Sequence, residues 1–168
     1  MQAQNTARKL TAETPPKPKA KQAPYVIIHY GAINGVTGSC NELRASKQEA
    51  ILIDCGLFQG QETEFETANH QTGQHGNPLI SKNIPFAISQ INALIVTHVH
   101  IDHVGRIPHL LAAGFKGPIY CTEPLAKLLP LVLEDAVKVG FNRNKALITR
   151  FIKKLKEYIV PVPYGKWQ

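Results

Sequence analysis

Four side chains that bind metal ions well lie within six residues of one another: His98, His100, Asp102 and His103. Neutral imidazole and carboxylate groups suit Zn²⁺, and they also suit Mn²⁺ or Fe²⁺. In extended backbone the two residues His98 and His100 point to the same side, whereas Asp102 and His103 follow a turn. One ion would hardly need four ligands from so short a segment. We therefore predict two metal ions that share a bridging water.

A pair of ions of this kind has a recognisable chemistry. Two metals roughly 3.5–4 Å apart deprotonate water at neutral pH and stabilise negative charge on a substrate. Phosphate esters, thioesters and lactams are all cleaved in this way, so the cluster indicates a metal-dependent hydrolase and leaves its substrate open. The other histidines have no ligand partner at suitable spacing and are predicted to be ordinary core or surface residues. They are His29, His70, His75 and His109.

The elements around the cluster should hold it rigidly. Residues 93–97 form a continuous apolar run, which predicts a strand buried on both faces. The cluster then lies on a loop at the carboxyl end of that strand, a rigid platform for ligands. Pro108 suits the first turn of a helix and Gly114 suits its end, so residues 107–113 are predicted to form a short helix.

The rest of the chain predicts a layered α/β architecture with helices packed on a sheet. Further strands are expected at residues 25–30, 40–45, 50–54 and 117–122, the first three forming an antiparallel start to the sheet. Helices are expected at 123–139, where Pro130 should kink or split the helix, and at 142–158. Residues 59–76 predict a loop or short helix at the rim of the site, and 160–165 is a proline-rich stretch with no predicted strand.

Composition bounds the class of protein. Hydrophobic residues make up 43% of the 168 residues, enough for one domain with a core. Residues 1–24 are rich in Lys, Pro and Gln and predict a disordered basic tail, with no apolar segment of a secretory signal. No apolar run approaches the ~20 residues that span a bilayer. We expect a soluble cytoplasmic protein whose three widely spaced cysteines are reduced and buried.

The net charge of +7 favours an anionic partner, nucleic acid above all. One basic cluster follows the predicted long helix, and a solvated helix face is the alternative explanation for it. The candidate phosphate-binding residues are Arg143, Lys145, Arg150, Lys153 and Lys154.

Three stretches together carry a family resemblance. The string from Thr97 to Gly105, with its His-x-His-x-Asp-His core, resembles the metal-binding signature of the metallo-β-lactamase fold. Residues 31–40 (GAINGVTGSC) resemble the first turn of its β-CASP branch, the RNA- and DNA-processing nucleases. Residues 52–60 (LIDCGLFQG) resemble the next block, in which Asp54 is the first motif aspartate. The pattern is most similar to bacterial RNA-processing exonucleases and the nuclease subunit of the polyadenylation machinery.

The resemblance implies an αββα sandwich, of which residues 25–168 would be the first half, and a role for each matching residue. His98 and His100 would bind the first zinc ion. Asp102 and His103 would bind the second, and Asp102 would also orient the attacking water. Asp54 would lie beneath the site and hold the histidine loop by hydrogen bonds. The implied reaction is in-line attack on an RNA phosphodiester by a metal-bound hydroxide. Single-stranded DNA is a second candidate substrate, homo-oligomerisation is open, and so is the choice between endo- and exonuclease action.

One departure from the family pattern bears on activity. Members carry a later His, a bridging Asp and a further His, together with an inserted β-CASP domain, whereas this chain has no histidine after His109. Asp135 falls inside a predicted helix and comes too early for the bridging role. We expect a fragment or truncated reading frame that is inactive alone, with completion by a second chain or a non-catalytic RNA-binding domain as alternatives. A thioesterase of the glyoxalase II type is the other enzyme considered, and residues 37–40 argue against it.

Overall fold

A computed structural model of the chain describes residues 25–58, 84–140 and 144–165. Its strands are β1 (Val26–His29), β2 (Asn41–Arg44), β3 (Ala50–Ile53), β4 (Ile91–Ile95), β5 (Ile119–Thr122) and β6 (Ile159–Val162). Its helices are α1 (Ile101–Val104), α2 (Ile107–Ala112), α3 (Glu123–Gly140) and α4 (Lys145–Tyr158), and residues 88–90 form a 3-10 turn. The predicted tail at 1–24, the predicted rim segment at 59–76, His70, His75 and Arg143 all lie outside the described residues.

The six strands form one mixed sheet in the order β1-β2-β3-β4-β5-β6. Strands β1, β2 and β3 pair antiparallel, which confirms the predicted start of the sheet. The pairs β3–β4, β4–β5 and β5–β6 are parallel. Strand β6 contradicts the expectation of an irregular proline-rich stretch. Pro161 has no N–H to donate, but β6 is an edge strand in this sheet, where a missing donor is tolerated.

The helices pack on one face of the sheet. Leu52, Leu94 and Ile119 of the sheet are fully buried and belong to the same apolar cluster as Leu129 and Leu133 of α3. Burying each such side chain stabilises the fold by roughly 1.5–3 kcal/mol, so this layer accounts for most of the core. Of the two effects expected of Pro130, a kink or a split, the split is wrong, because α3 continues through this residue, which is buried.

Helix α4 begins later than predicted. It starts at Lys145 because Asn144 caps it, with its side-chain oxygen accepting hydrogen bonds from the backbone N–H groups of Ala146 and Leu147. Its inner face is anchored by Ile148 and Leu155, both buried. This cap was missed because the sequence offers two asparagines close together, and only tertiary packing selects between them.

The opposite face of the sheet is partly exposed. Ile95, Tyr120 and Val160 lie side by side on three neighbouring strands. They are 37%, 37% and 38% exposed. The prediction that β4 is buried on both faces is therefore wrong for the described residues, in which the helical layer covers only one side. A sheet with a single helical layer is the first half of an αββα sandwich, as expected.

The topology brings two strand ends together. Strands β3 and β4 run parallel with Ile53 opposite Ile95, so the residues that follow them lie at the same edge of the sheet. Asp54 follows β3, and Thr97 and His98 follow β4. Among the residues that the structure describes, no helix has the length and hydropathy needed to cross a membrane.

Candidate metal centre

Asp54 is the hub of the site at this edge. Its backbone has a positive φ of 61°, a conformation that Asp tolerates better than most residues. The side chain is buried, with Oδ1 accepting from the backbone N–H of Thr97 at 2.9 Å. Its Oδ2 atom accepts from the Thr97 hydroxyl at 2.8 Å and contacts Nδ1 of His103 at 2.8 Å. One carboxylate thereby ties the end of β3 to both the end of β4 and helix α1.

Asp102 and His103 lie on the single turn of helix α1 rather than on a continuous loop, which corrects the expectation from sequence. The turn forms because the carbonyl of His100 accepts hydrogen bonds from the N–H groups of His103 and Val104, at 2.9 and 3.1 Å. The carboxylate of Asp102 stands in the first turn of this helix, where the helix dipole favours negative charge.

Neighbouring backbone supports α1 from beneath. The carbonyl of Asp102 accepts from the N–H of Ser39 at 2.9 Å, and the carbonyl of His103 accepts from the N–H of Cys55 at 2.7 Å. Gly56 packs directly under the same turn, because a Cβ atom there would lie 1.6 Å from the carbonyl oxygen of Asp102. The glycine is thus required by a close backbone approach, and residues 39 and 55–56 form the floor of the site.

The predicted ligands are brought together. The ring centroids of His98 and His103 are 3.9 Å apart, and those of His98 and His100 are 4.7 Å apart. Nε2 of His103 lies 3.6 Å from Oδ2 of Asp102. All four predicted ligands therefore share one partly exposed cluster at the carboxyl edge of the sheet.

This donor set fits zinc by its chemistry. It offers imidazole nitrogens and a carboxylate, and the buried carboxylate of Asp54 occupies Nδ1 of His103, so that Nε2 of that ring is left to face an ion. The rings pack against one another, and in the described ranges no three His, Cys, Asp or Glu side chains are gathered so as to hold a metal ion. The cluster thus supplies suitable donors in close proximity without a finished coordination sphere.

Arg106 was missed in the sequence. The side chain is only 1% exposed, with its guanidinium 5.1 Å above the ring of Phe58. Nε and Nη2 have no hydrogen-bond partner among the described residues. A hydrogen bond with Cys55 and the nearby Arg106 charge lower the pKa of the Cys40 thiol, whereas the Cys40 interaction and burial raise the pKa of Cys55. No sequence signal marks an arginine for burial.

A second polar group lies on the helix-covered side of the sheet. Glu42 is fully buried, and its carboxylate accepts hydrogen bonds from the Tyr30 hydroxyl and from Nε of Arg44, both at 2.6 Å. Burial alone would raise the pKa of Glu42, but these two hydrogen bonds outweigh it and lower the pKa. Burial and the bond to Glu42 raise the pKa of Tyr30 from 10.0 to about 12. These bonds connect Tyr30, the residue after β1, to strand β2.

Part of the predicted basic surface is assembled on α4. Arg150, Lys153, Lys154 and Glu157 line one open surface depression. Lys154 is already engaged, since its Nζ lies 3.0 Å from a carboxylate oxygen of Glu157 and 4.8 Å from the ring centre of Tyr158. Arg150 and Lys153 are therefore the better placed cations of this set for an external phosphate.

The two remaining basic candidates, Lys145 and Arg143, are not part of this depression as the structure describes it. Lys145 is exposed at the first position of α4, outside that depression. Arg143 lies outside the described residues. The three predicted cysteines are free and buried, as expected: Cys40, Cys55 and Cys121.

The fold and this cluster define a class of protein. The family profile described as "Metallo-beta-lactamase superfamily" matches residues 33–165, which include the floor, the histidine cluster and the helical layer. The chain belongs to the metallo-β-lactamase superfamily.

Curated relatives place it near RNA-processing members. Ribonuclease TTHA0252 of Thermus thermophilus is 35% identical over 143 residues, covering 84% of this chain and 29% of that protein. Transcription termination factor FttA of Methanothermobacter thermautotrophicus is 28% identical over 153 residues, covering 89% and 22%. Cleavage and polyadenylation specificity factor subunit 3-II of Arabidopsis thaliana is 37% identical over 95 residues, covering 56% and 14%.

These relatives confirm the predicted relationship to β-CASP-type ribonucleases, whose N-terminal portion this sequence matches. The chain spans less than a third of the length of each of the three relatives.

Proposed function

We propose that the chain is the N-terminal, metal-binding part of a zinc-dependent ribonuclease. The observation that carries this proposal is the Asp54 network: one buried carboxylate bonds the Thr97 N–H, the Thr97 hydroxyl and the His103 ring. One bond to a ligand histidine and two to Thr97, the residue before His98, support a role in orienting metal ligands in a metallo-β-lactamase superfamily member.

Each residue of the cluster has a task in this proposal. His98, His100, Asp102 and His103 would hold the two zinc ions. When bound, zinc supplies Lewis acidity and makes water nucleophilic at neutral pH. Asp54 keeps the proton of the His103 ring on Nδ1, and the carboxylate of Asp102 would orient the attacking water toward the phosphodiester.

Two exposed cations on helix α4 support RNA as the substrate class. Arg150 and Lys153 lie three residues apart on a helix, so both project from the same side of it, and both are exposed. Cations so arranged suit successive phosphates of a single strand. The same observation also favours a second candidate function, a non-catalytic RNA-binding domain, which the experiment below distinguishes.

The test uses the longest natural polypeptide that contains this sequence. Zinc content is measured by elemental mass spectrometry, and cleavage of end-labelled single-stranded RNA is followed in the same preparation. We expect about two equivalents of zinc and zinc-dependent cleavage, with both reduced in His98→Ala and cleavage abolished in Asp102→Ala. His29→Ala is the matched control, because His29 lies on β1 and bonds Asn41 instead of the cluster. Product lengths separate exonuclease from endonuclease action.

Three other results would contradict the proposal, each in favour of a different function. RNA binding without zinc or cleavage would indicate the binding domain. Hydrolysis of a thioester such as S-lactoylglutathione, with RNA left intact, would indicate a thioesterase on the same fold. Cleavage of single-stranded DNA, with RNA left intact, would indicate a deoxyribonuclease.

A further inference from the structure

We infer that Thr97 is a positioning residue that sets the tautomer of His98, by passing on the hydrogen-bond polarity of Asp54 through its hydroxyl group. The metal-directed part of this inference rests on the proposed function and deepens it. Its basis is a count of protons along the contacts His98–Thr97–Asp54–His103.

Asp54 determines the first two proton positions. A carboxylate only accepts hydrogen bonds. Its Oδ2 atom lies 2.8 Å from the Thr97 oxygen and 2.8 Å from Nδ1 of His103. The Thr97 hydroxyl must therefore donate its single proton to Asp54, and the His103 ring must carry a proton on Nδ1.

The Thr97 hydroxyl determines the next proton position. Since its one proton points at Asp54, its oxygen can only accept from a further partner. That partner is Nδ1 of His98, at 3.1 Å. A lone pair on Nδ1 would face the lone pairs of the hydroxyl oxygen, so the bond exists only when the His98 ring carries its proton on Nδ1.

When the two rings are neutral, both therefore carry their lone pair on Nε2. His103 is set by Asp54 directly, and His98 is set by Asp54 through Thr97. Two ligands of the proposed centre are thus fixed in one tautomer by a single buried acid, before any ion arrives. His100 has a ring contact with His98 and, over the ranges that the structure describes, no hydrogen bond of this kind, so its tautomer should not depend on Thr97.

The experiment is ¹⁵N NMR of the same natural polypeptide, metal-free and labelled at histidine, at a pH where the imidazoles are neutral, comparing the wild type with Thr97→Val and Thr97→Ser. We expect the Nδ1–H tautomer at His98 and His103 in the wild type and in the serine variant, which keeps the hydroxyl. In the valine variant His98 should lose this preference, while His103 and His100 stay unchanged. Zinc titration should give a roughly 10–100-fold weaker affinity for the valine variant and near wild-type affinity for the serine variant.

Several outcomes would overturn the inference. One is an Nε2–H tautomer at His98 in the wild type, and this is decisive even if the valine variant fails to fold. Another is a change at His103 together with His98 in the valine variant, which would mean that Thr97 acts only on the scaffold. Equal zinc affinities in the two variants would show that the Thr97 hydroxyl has no effect on metal binding. The NMR result needs neither zinc nor RNA, so failure here is distinguishable from failure of the ribonuclease proposal.

Discussion

Oδ2 of Asp54 lies 2.8 Å from Nδ1 of His103, across 49 residues of chain. This contact joins the end of an antiparallel pair of strands to a helical turn that follows a parallel strand. Because Asp54 is only 2% exposed, the bond forms in a medium where a charge-assisted interaction is strong. It explains why an aspartate far away in sequence belongs to the histidine cluster.

Replacing Asp54 with Asn tests this bond with little steric change. Asn tolerates the positive φ at this position, so the backbone should persist. One acceptor oxygen is lost, and we expect zinc affinity to fall by 10–100-fold and the free energy of unfolding to fall by about 1–3 kcal/mol. Calorimetric zinc titration and urea denaturation measure the two effects. Unchanged zinc affinity in a folded variant would show that Asp54 is purely structural.

Gly56→Ala should disrupt the floor of the site. The new Cβ would meet the Asp102 carbonyl oxygen at 1.6 Å, a contact that only backbone movement can relieve. We expect destabilisation of about 4 kcal/mol or more, or failure to fold, measured by denaturant unfolding. Gly114→Ala is the comparison variant: nothing lies within 4 Å of its added Cβ, so it should lose only what its positive φ costs a side chain, roughly 1–3 kcal/mol. If both variants lost the same stability, the close approach at Gly56 would not be the cause.

The Tyr30–Glu42 bond predicts sensitivity to acid. The pKa of Glu42 is lowered in the folded state, so its stabilising effect is present above the unfolded value of 4.5 and is lost as pH falls through the folded value. Tyr30→Phe removes one donor to the buried carboxylate and should cost about 1–3 kcal/mol at neutral pH. Acid unfolding, followed by circular dichroism, should then occur at a higher pH than in the wild type. An unshifted midpoint would contradict the assigned role of Tyr30.

Alkaline titration tests the same hydrogen bond through its donor, the Tyr30 hydroxyl. The pKa of Tyr30 is raised to about 12, so its contribution is complete below the ordinary value of 10.0 and is lost as pH rises toward 12. Ultraviolet difference spectroscopy should show one phenolate signal that appears later than the others and is missing in Tyr30→Phe. Ionisation of all tyrosines together, while the protein is still folded, would count against this bond.

The basic face of α4 makes a salt-dependent prediction. If Arg150 and Lys153 each neutralise one phosphate, the double alanine variant should bind single-stranded RNA more weakly. The slope of log affinity against log salt should shrink by about 1.4, or about 0.7 for each contact. The control is the double variant Lys116→Ala with Lys127→Ala, which removes the same charge from two exposed lysines outside α4. Equal losses in the two double variants would indicate a general charge effect.

Much of the fold could be predicted because its signals are local. Apolar runs and turn residues placed β1 to β5, and helical spacing placed α3 and α4 to within a few residues. Strand β6 could not be predicted, because Pro161 argues against a strand unless the strand is known to lie at a sheet edge. The half-exposed Ile95 was missed for a similar reason: an apolar run does not reveal which faces are covered.

The candidate site, too, was predictable only where its signals are local in the sequence. The metal-ligand residue types stand together in the sequence, so their proximity was predictable. The one-turn helix α1 depends on N–H groups of Ser39 and Cys55, more than forty residues away along the chain, and no local pattern announces it. The burial of Arg106 is likewise a tertiary property. The role of Thr97 could be inferred only once its hydroxyl was seen between Asp54 and His98.

The most direct test of a zinc centre in the histidine cluster is zinc-edge X-ray absorption of the zinc-loaded protein. The proposed centre predicts nitrogen and oxygen neighbours at about 2.0–2.2 Å with an imidazole signature, and this signature should weaken in His98→Ala. Sulfur neighbours at about 2.3 Å would instead place the ion at the buried cysteines. That result, or an imidazole signature unaffected by removal of His98, would contradict the assignment of the cluster as the metal site.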